Sequence, residues 1–182
     1  MKGVYIGIDG IDFSGKGTLS REFKKKLTHG LHVREPTDEC RAAILCHGGY
    51  DTVLAGKLML ADRHNQNTKV AQPYLNKGGT VVSDRTWISG TCYNGYGDAQ
   101  KLTVPKGIII PVIIKIDERT FNERRSKEVN QDDIESKPWD YHSNIQNEMI
   151  TLAKENPNFM IINSMPPKEQ VDLIMAHLAT LN

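Results

Sequence analysis

Apolar residues in this chain form short runs rich in Val and Ile, which alternate with longer segments whose apolar residues recur every three or four positions. The runs predict buried strands, and the longer segments predict amphipathic helices. The predicted strands cover residues 4–8, 31–35, 79–83, 108–116 and 159–162. The predicted helices cover residues 15–27, 38–46, 52–75, 86–93, 120–128 and 139–155, with a last helix after Pro166-Pro167. This alternation predicts an α/β fold with five parallel strands in one sheet, covered on both faces.

Two segments stand apart from the alternation. Pro111 lies inside an apolar run, and we expect it to start its strand because proline cannot donate to a strand ladder. Residues 126–138 contain almost nothing apolar, so they predict the most mobile part of the chain.

The composition is that of an ordinary globular protein. The chain has 182 residues, 38% hydrophobic and 25% charged, with a net charge of +1. This length predicts a single domain over residues 1–182, and the balanced charge gives no general reason to expect nucleic acid or a membrane as a partner. The first residues lack the long apolar region of a signal peptide. Because Cys40, Cys46 and Cys92 show no Cys-x-x-Cys spacing, we expect reduced thiols and a cytoplasmic protein.

Residues 10–18 carry the strongest chemical signal. They follow a predicted strand and precede a predicted helix, which is the context of a phosphate-binding loop. Backbone N–H groups at the helix N-terminus attract an anion, Gly15 lets phosphate approach the backbone, and Lys16 adds a charge for the β- and γ-phosphates. The predicted ATP-binding residues are Gly10, Asp12, Phe13, Ser14, Gly15, Lys16, Gly17 and Thr18. The alternative is a glycine-rich turn with an exposed lysine.

Gly17 departs from the strict loop pattern, which has Ser or Thr at this position to reach Mg²⁺. Thr18 follows one residue later, and Gly-Lys-Gly-Thr resembles the loop of adenylate kinases, so the departure suits a kinase of small nucleotides. Thr18 and Asp84 are the candidate Mg²⁺ residues, because this hard ion prefers carboxylates and water. The alternative for Asp84 is an N-cap of the following helix.

Three further segments resemble the thymidylate kinase family of P-loop nucleoside monophosphate kinases, in the family's order. Residues 34–37 read Arg-Glu-Pro-Thr, residues 58–63 read Leu-Met-Leu-Ala-Asp-Arg, and residues 81–85 read Val-Val-Ser-Asp-Arg, followed by Ser89 and Tyr93. The similarity runs from about Val4 to the C-terminus. It implies a three-layer α/β/α P-loop kinase fold with a short lid at about residues 126–138. It also implies transfer of the γ-phosphoryl group of ATP to dTMP, with Mg²⁺ as cofactor.

The resemblance also assigns an acceptor site. Pro36 would line the base pocket, Arg63 would donate to a pyrimidine carbonyl, and Tyr93 would lie under the sugar. Arg41 and Arg85 would hold the acceptor phosphate, which arginine binds with its planar fork. The implied substrate-binding residues are Glu35, Pro36, Arg41, Met59, Arg63, Arg85, Ser89, Tyr93 and His142. From the residues alone, the alternatives are surface ion pairs for Arg34, Arg41 and Arg63, a core role for Tyr93, and a solvated or capping role for His142.

The implied catalytic residues are Asp12, Lys16, Arg85, Arg124 and Arg125. Asp12 matches a loop aspartate whose suggested role in the family is to interact with the bound nucleotide. Many members carry an arginine in the phosphate loop or in the lid, but here the loop residue is Phe13 and the lid centre, residues 131–135, is acidic. We therefore hypothesise that Arg124 or Arg125 contacts the transferring phosphoryl group.

Two departures leave the accepted base open. The stacking Phe of the family is Met59 here, and the segment between Gly97 and Gly107 is short and is expected to lack the helix often found there. Since one methyl group is worth only about 1–3 kcal/mol in a pocket, dUMP or a 5-substituted dUMP is an alternative acceptor. Another nucleoside monophosphate kinase is the next alternative, and a non-kinase P-loop switch is a third. The resemblance also implies a homodimer formed through residues 52–75.

Overall fold

A computed structural model describes residues 2–27 and 29–181. Met1, Thr28 and Asn182, which the predicted domain includes, lie outside the described residues. Five strands form one parallel sheet in the order β2-β3-β1-β4-β5. The strands are β1 (Val4–Asp9), β2 (Gly30–Arg34), β3 (Thr80–Asp84), β4 (Ile108–Lys115) and β5 (Met160–Asn163). Helices flank the sheet, so the predicted α/β fold is confirmed.

The helices connect the strands in the predicted alternation. They are α1 (Lys16–Lys26), α2 (Asp38–Cys46), α3 (Val53–Gln66), α4 (Gln72–Asn76), α5 (Trp87–Asn94), α6 (Gly97–Lys101), α7 (Glu118–Arg125), α8 (Trp139–Ala153) and α9 (Pro167–Thr180). Within residues 2–27 and 29–181, no helix combines the length and the apolar character that crossing a bilayer requires.

The core lies on both faces of the central strands. Ile6 is in register with Val82, and both are fully buried in a cluster that includes Leu19 of α1. Tyr5 precedes Ile6 and packs instead with Leu75 of α4. Successive strand residues point to opposite faces, and both faces of β1 are buried. The β1 run is therefore apolar at every position from Tyr5 to Ile8 except Gly7.

The predicted continuous helix over residues 52–75 is wrong in its middle. A π-helical turn, Asn67–Ala71, separates α3 from α4, and the N–H of Gln72 donates to the carbonyl of Asn67. Pro73 has no N–H and would clash with the carbonyl four residues earlier, so a wider turn here relieves the conflict. The buried side-chain amide of Asn67 donates to the carbonyl of Thr103 at 3.0 Å, which fixes the turn against the following segment.

Two other expectations are corrected. Pro111 lies inside β4 rather than at its start, opposite Gly7 of β1. Pairing of β4 with β5 begins only at Val112, so at Pro111 one side of the strand has no ladder to break. The segment 97–107 contains the short helix α6, whose buried residue Gln100 bonds to a side chain of the cleft described below.

Candidate active site

The loops at the carboxyl ends of β1, β2 and β3 enclose a cleft of about 680 Å³. Parallel strands bring these ends to one edge of the sheet, where α/β folds bind ligands. The sequence-predicted residues that line the cleft are Asp12, Phe13, Gly15, Lys16, Gly17, Thr18, Glu35, Pro36, Arg41, Met59, Arg63, Asp84, Arg85, Ser89 and Tyr93. Five other predicted residues do not line it: Gly10, Ser14, Arg124, Arg125 and His142.

The phosphate loop joins β1 to α1 and bends tightly at one end of the cleft. Phe13 and Gly15 have φ angles of 62° and 94°, and glycine adopts such positive values without the steric cost of a Cβ atom. A Cβ atom at Gly10 would lie 2.6 Å from Oγ of Ser14, so the close approach of loop and strand also requires glycine there. Since α1 begins at Lys16, the positive end of its dipole lies at the cleft.

Asp12 joins the two cations at the centre of the cleft. Its Oδ1 lies 3.2 Å from Nζ of Lys16 and 2.6 Å from Nη2 of Arg85. The hydroxyl of Tyr93 donates to the other oxygen of Asp12 at 3.4 Å, and the guanidinium carbon of Arg85 lies 5.4 Å from the centroid of the Tyr93 ring. One carboxylate therefore positions a cation from the phosphate loop and a cation from the end of β3.

The charges of this trio shift each other's pKa values. Burial alone would raise the pKa of Asp12, but the charges of Lys16 and Arg85 outweigh burial and hold it well below its usual range. Burial lowers the pKa of Lys16, and the charge of Arg85 lowers it further. Burial would lower the pKa of Arg85, but the carboxylate of Asp12 outweighs it and raises that pKa. The cleft thus holds two partly exposed cations around one ionised, buried carboxylate, an arrangement that favours further negative charge.

A second buried ion pair forms the opposite end of the cleft. Nε of Arg63 donates to Oε2 of Glu35 at 2.5 Å, and Nη1 of Arg63 donates to Oε1 of Gln100. All three side chains are buried, so the alternative of a surface ion pair for Arg63 is wrong. Gly90 packs directly on this network, because a Cβ atom there would lie 2.7 Å from Oε1 of Gln100 and would overlap the guanidinium of Arg63.

Glu35 is expected to make stability depend on pH. Burial raises its pKa from 4.5 to about 7, although Arg63 opposes the shift. The folded-state pKa lies above the unfolded value, so the stability that Glu35 contributes is fully present below about pH 4.5 and is lost as pH rises through about 7. We expect the Tm of the wild type to fall between pH 5 and pH 8, and Glu35→Gln to reduce that fall. Parallel curves for the two proteins in thermal melts would contradict this.

Asp84 is the last residue of β3, and its alternative role as an N-cap is wrong. The N-cap of α5 is Thr86, whose hydroxyl accepts a hydrogen bond from the N–H of Ile88. Oδ1 of Asp84 is buried without a hydrogen-bond partner among the described residues. Ser89, assigned to substrate binding, donates its hydroxyl to Asp9 at 2.5 Å, so Asp9 fixes the turn that carries it.

Arg124 and Arg125 lie outside the cleft, and their contact with a phosphoryl group stays a prediction. Nη1 of Arg124 donates to the carbonyls of Phe13 and Ser14 at 2.8 and 3.0 Å, which clamps the back of the phosphate loop. Nη2 of Arg125 donates to the carbonyl of Ser136 at 2.6 Å.

His142 is fully buried, with its ring centroid 4.7 Å from that of Phe121. The alternative of a solvated or capping residue is therefore wrong, and its assigned contact with the base stays a prediction.

Sequence reasoning missed several residues of the cleft. Arg21, Tyr50, Gly90, Asn94 and Tyr96 line it. Two of them had a signal in the sequence. Arg21 lies four residues after Gly17, which is helical spacing, and Gly90 directly follows Ser89. No signal in the sequence indicated Gln100, because its contact with Arg63 joins residues 37 positions apart.

A phosphate loop on the central strand of a parallel sheet, facing arginines at the ends of the neighbouring strands, defines a P-loop kinase of nucleoside monophosphates. The sequence model of the family described as thymidylate kinase matches residues 8–173. The chain is 32% identical to the thymidylate kinase of Aliarcobacter butzleri over 174 residues, which cover 88% of this chain and 90% of that protein. It is 31% identical to the thymidylate kinase of Nautilia profundicola over 167 residues, which cover 82% of each. The chain belongs to the thymidylate kinase family.

Solved structures agree with the fold. The thymidylate kinase of Ehrlichia chaffeensis superposes with a TM-score of 0.70 at 21% identity, covering 97% of this chain and 99% of that chain. The thymidylate kinase of Candida albicans superposes with a TM-score of 0.75 at 18% identity, covering 98% and 92%. The resemblance read from residues 34–37, 58–63 and 81–85 is therefore confirmed at the level of family and fold.

Proposed function

We propose that this chain transfers the γ-phosphoryl group of ATP to dTMP and releases dTDP and ADP. The observation that carries the proposal is the shared carboxylate of Asp12, which holds Lys16 of the phosphate loop and Arg85 of β3 within 3.2 and 2.6 Å. A phosphate on each side of this trio would face a cation that Asp12 holds in place. Phosphoryl transfer depends mainly on such positioning and neutralisation of charge.

The residues act by binding and alignment. Lys16 and the loop N–H groups bind the triphosphate, while Arg41 and Arg85 aim the acceptor phosphate. Nε of Arg41 is buried without a hydrogen-bond partner among the described residues, which supports a role in binding an anion. No general base is required, because the acceptor phosphate is already an anion near neutral pH.

Asp84 and Thr18 suit a Mg²⁺ ion at the donor side. Both residues line the cleft, and Oδ1 of Asp84 has no hydrogen-bond partner among the described residues. Mg²⁺ commonly takes one or two carboxylates and completes its shell with water and phosphate oxygens, which these two residues would accommodate. The ion, when bound, neutralises charge on the β- and γ-phosphates.

Residues 126–138 act as a lid over this cleft, and the chain works as one domain. Asp132, Ile134 and Glu135 line the cleft from this segment. Nζ of Lys137 lies 3.1 Å from Oδ2 of Asp51, on the loop between α2 and α3. This contact supports closure of the segment against the acceptor side, which would exclude water from the reaction.

The chain assembles as a homodimer through residues 52–75, which include α3, the π-helical turn and most of α4. Leu54 of α3 and Val70 of the π-helical turn are 43% and 45% exposed, and exposed apolar residues favour association. Sedimentation equilibrium tests the assembly, and a species of 20.4 kDa at every concentration would count against it.

The cytoplasm is the proposed location of the protein. Its three cysteines are free thiols, and a reducing compartment keeps cysteines in that state.

An ADP-release assay with ATP against dTMP, dUMP, dGMP and AMP tests the function. We expect turnover with dTMP, and the ratio of kcat/KM for dTMP and dUMP measures the selectivity that Met59 allows. Met59 lines the cleft, and its thioether lies 4.0 Å from Nδ2 of Asn94. The resemblance assigns this position to a Phe that stacks on the base, and the Met side chain is more flexible. Absence of activity with every pyrimidine nucleotide would reject the proposal, and preference for dGMP or AMP would favour another nucleoside monophosphate kinase.

Gly90→Ala is expected to raise the KM for dTMP by about 10-fold, because displacing Arg63 and Gln100 would cost an interaction of roughly 1–3 kcal/mol with the base. The KM for ATP should stay near the wild-type value, since the phosphate loop lies at the other end of the cleft. Gly97→Ala is a matched control, because a Cβ atom there makes an ordinary contact of 3.6 Å with Thr91. Equal effects on the two KM values would show that the change is not local to the base pocket.

A further inference from the structure

The cations of the cleft differ in whether they have an acidic partner. Lys16 and Arg85 pair with Asp12, and Arg63 pairs with Glu35. Among the residues that the structure describes, three further arginines line the cleft and form no ion pair: Arg21, Arg34 and Arg41. These three guanidinium groups are therefore available to an anion that enters the cleft.

Arg21 lies one helical turn after Gly17, on the same side of α1. If Gly17 carried a Cβ atom, that atom would lie 3.6 Å from Nη1 of Arg21 and 3.1 Å from Oδ2 of Asp84. The guanidinium and the carboxylate therefore flank the space that the hydroxyl-bearing residue of the strict loop pattern would occupy. Helical side chains lean towards the N-terminus of their helix, so Arg21 extends towards the phosphate loop.

The other arginines near the donor side are engaged elsewhere. Arg124 donates to two loop carbonyls and, at 2.6 Å, to the hydroxyl of Ser164. Arg125 donates to Gln131 and to the carbonyl of Ser136. By contrast, Arg21 has only a long contact of 3.5 Å with Oγ1 of Thr18 among the described residues.

We propose that Arg21 binds a phosphate oxygen of a nucleotide in the cleft and supplies the charge that the loop, with Phe13, and the acidic lid lack. Gly17 leaves the room that this guanidinium uses. The inference rests on the proposed function, because it assigns a phosphate ligand to the same cleft. That phosphate belongs either to ATP or to the acceptor, and separate binding measurements identify which.

The test compares Arg21→Ala and Arg21→Lys with the wild type. Lys25→Ala is the matched control, since Lys25 lies on the same helix and pairs with Glu22 in solvent. Isothermal titration calorimetry with ATP, ADP and dTMP separately measures affinity without turnover, and the ADP-release assay measures kcat. For Arg21→Ala we expect one ligand to bind about 10- to 100-fold more weakly, which is the loss of one charged hydrogen bond, and Arg21→Lys to recover part of it.

Each outcome of the binding measurements decides the role of Arg21. Weaker binding of ATP but not ADP assigns Arg21 to the γ-phosphate, weaker binding of both assigns it to an inner phosphate, and weaker binding of dTMP alone assigns it to the acceptor. Affinities and kcat within twofold of both the wild type and Lys25→Ala would show that Arg21 is a solvated surface residue. If the wild type binds ATP but phosphorylates no acceptor, the proposed function fails, while the calorimetry still decides the role of Arg21.

Discussion

Lys16→Ala is expected to lower kcat about 10³-fold, because it removes a preorganised charge from the phosphates that carry the transferred group. The ammonium group lies 3.3 Å from the carbonyl of Ile11 and 3.2 Å from Asp12, with only 12% of the side chain exposed. Its position is thus fixed by the loop before a nucleotide arrives, and no other side chain of the loop carries a positive charge. Steady-state kinetics at saturating ATP and dTMP measures the effect.

The fold should tolerate this replacement, since Asp12 keeps its ion pair with Arg85. A circular-dichroism melt checks that point, and Lys25→Ala controls for loss of one positive charge on the same helix. Lys16→Arg tests geometry, because a bulkier planar cation in the same loop should restore little of the rate. A kcat of Lys16→Ala within 10-fold of the wild type would mean that the loop amides alone bind the triphosphate.

The strands and most helix boundaries could be predicted because their signals are local. Asp38–Cys46 is predicted to the residue, and Thr37 explains why: its side chain accepts a hydrogen bond from the N–H of Cys40. Thr52 caps α3 and Thr86 caps α5 in the same way. At these three places, a threonine before an apolar-periodic segment marks the start of a helix.

The features that were predicted wrongly depend on contacts between residues that are distant in sequence. The π-helical turn needs Thr103 as an acceptor for Asn67, and the tolerance of Pro111 inside β4 depends on where β5 begins to pair. Neither partner can be inferred from the neighbouring residues. Strand order, which places β1 between β3 and β4, decides both the pairing and the position of the cleft.

The candidate site also combines features that the sequence could predict with features that it could not. The phosphate loop and the segments around Arg63 and Arg85 are contiguous motifs, so their lining of one cleft could be predicted. Which polar atoms meet could not, because the bonds of Arg63 to Gln100 and of Arg124 to Phe13 join residues 37 and 111 positions apart. The placement of Arg124 on loop carbonyls is the clearest case, since its sequence position suggested a free cation near the lid.

Arg85→Ala is expected to lower kcat/KM for dTMP by about 10³-fold, the scale on which an arginine at a transferring phosphoryl group acts. Its side chain contacts the carboxylate of Asp12 at 2.6 Å and lies 5.4 Å from the centroid of the Tyr93 ring. Its backbone has a φ angle of 75°, and its N–H donates to the carbonyl of Ile8. Removal therefore costs both the charge and the alignment of the acceptor. Initial rates at varied dTMP and saturating ATP measure the loss.

Two variants separate charge from geometry at this position. Arg85→Lys keeps a positive charge but cannot form a planar fork with phosphate, so it should recover less than a tenth of the wild-type kcat/KM. Arg119→Ala removes an arginine whose side chain is 86% exposed and pairs with Glu123, so it should leave kcat/KM unchanged. If Arg85→Lys performed like the wild type, Arg85 would act only as a counter-charge for Asp12. If ATP affinity fell instead of acceptor efficiency, Arg85 would belong to the donor side of the cleft.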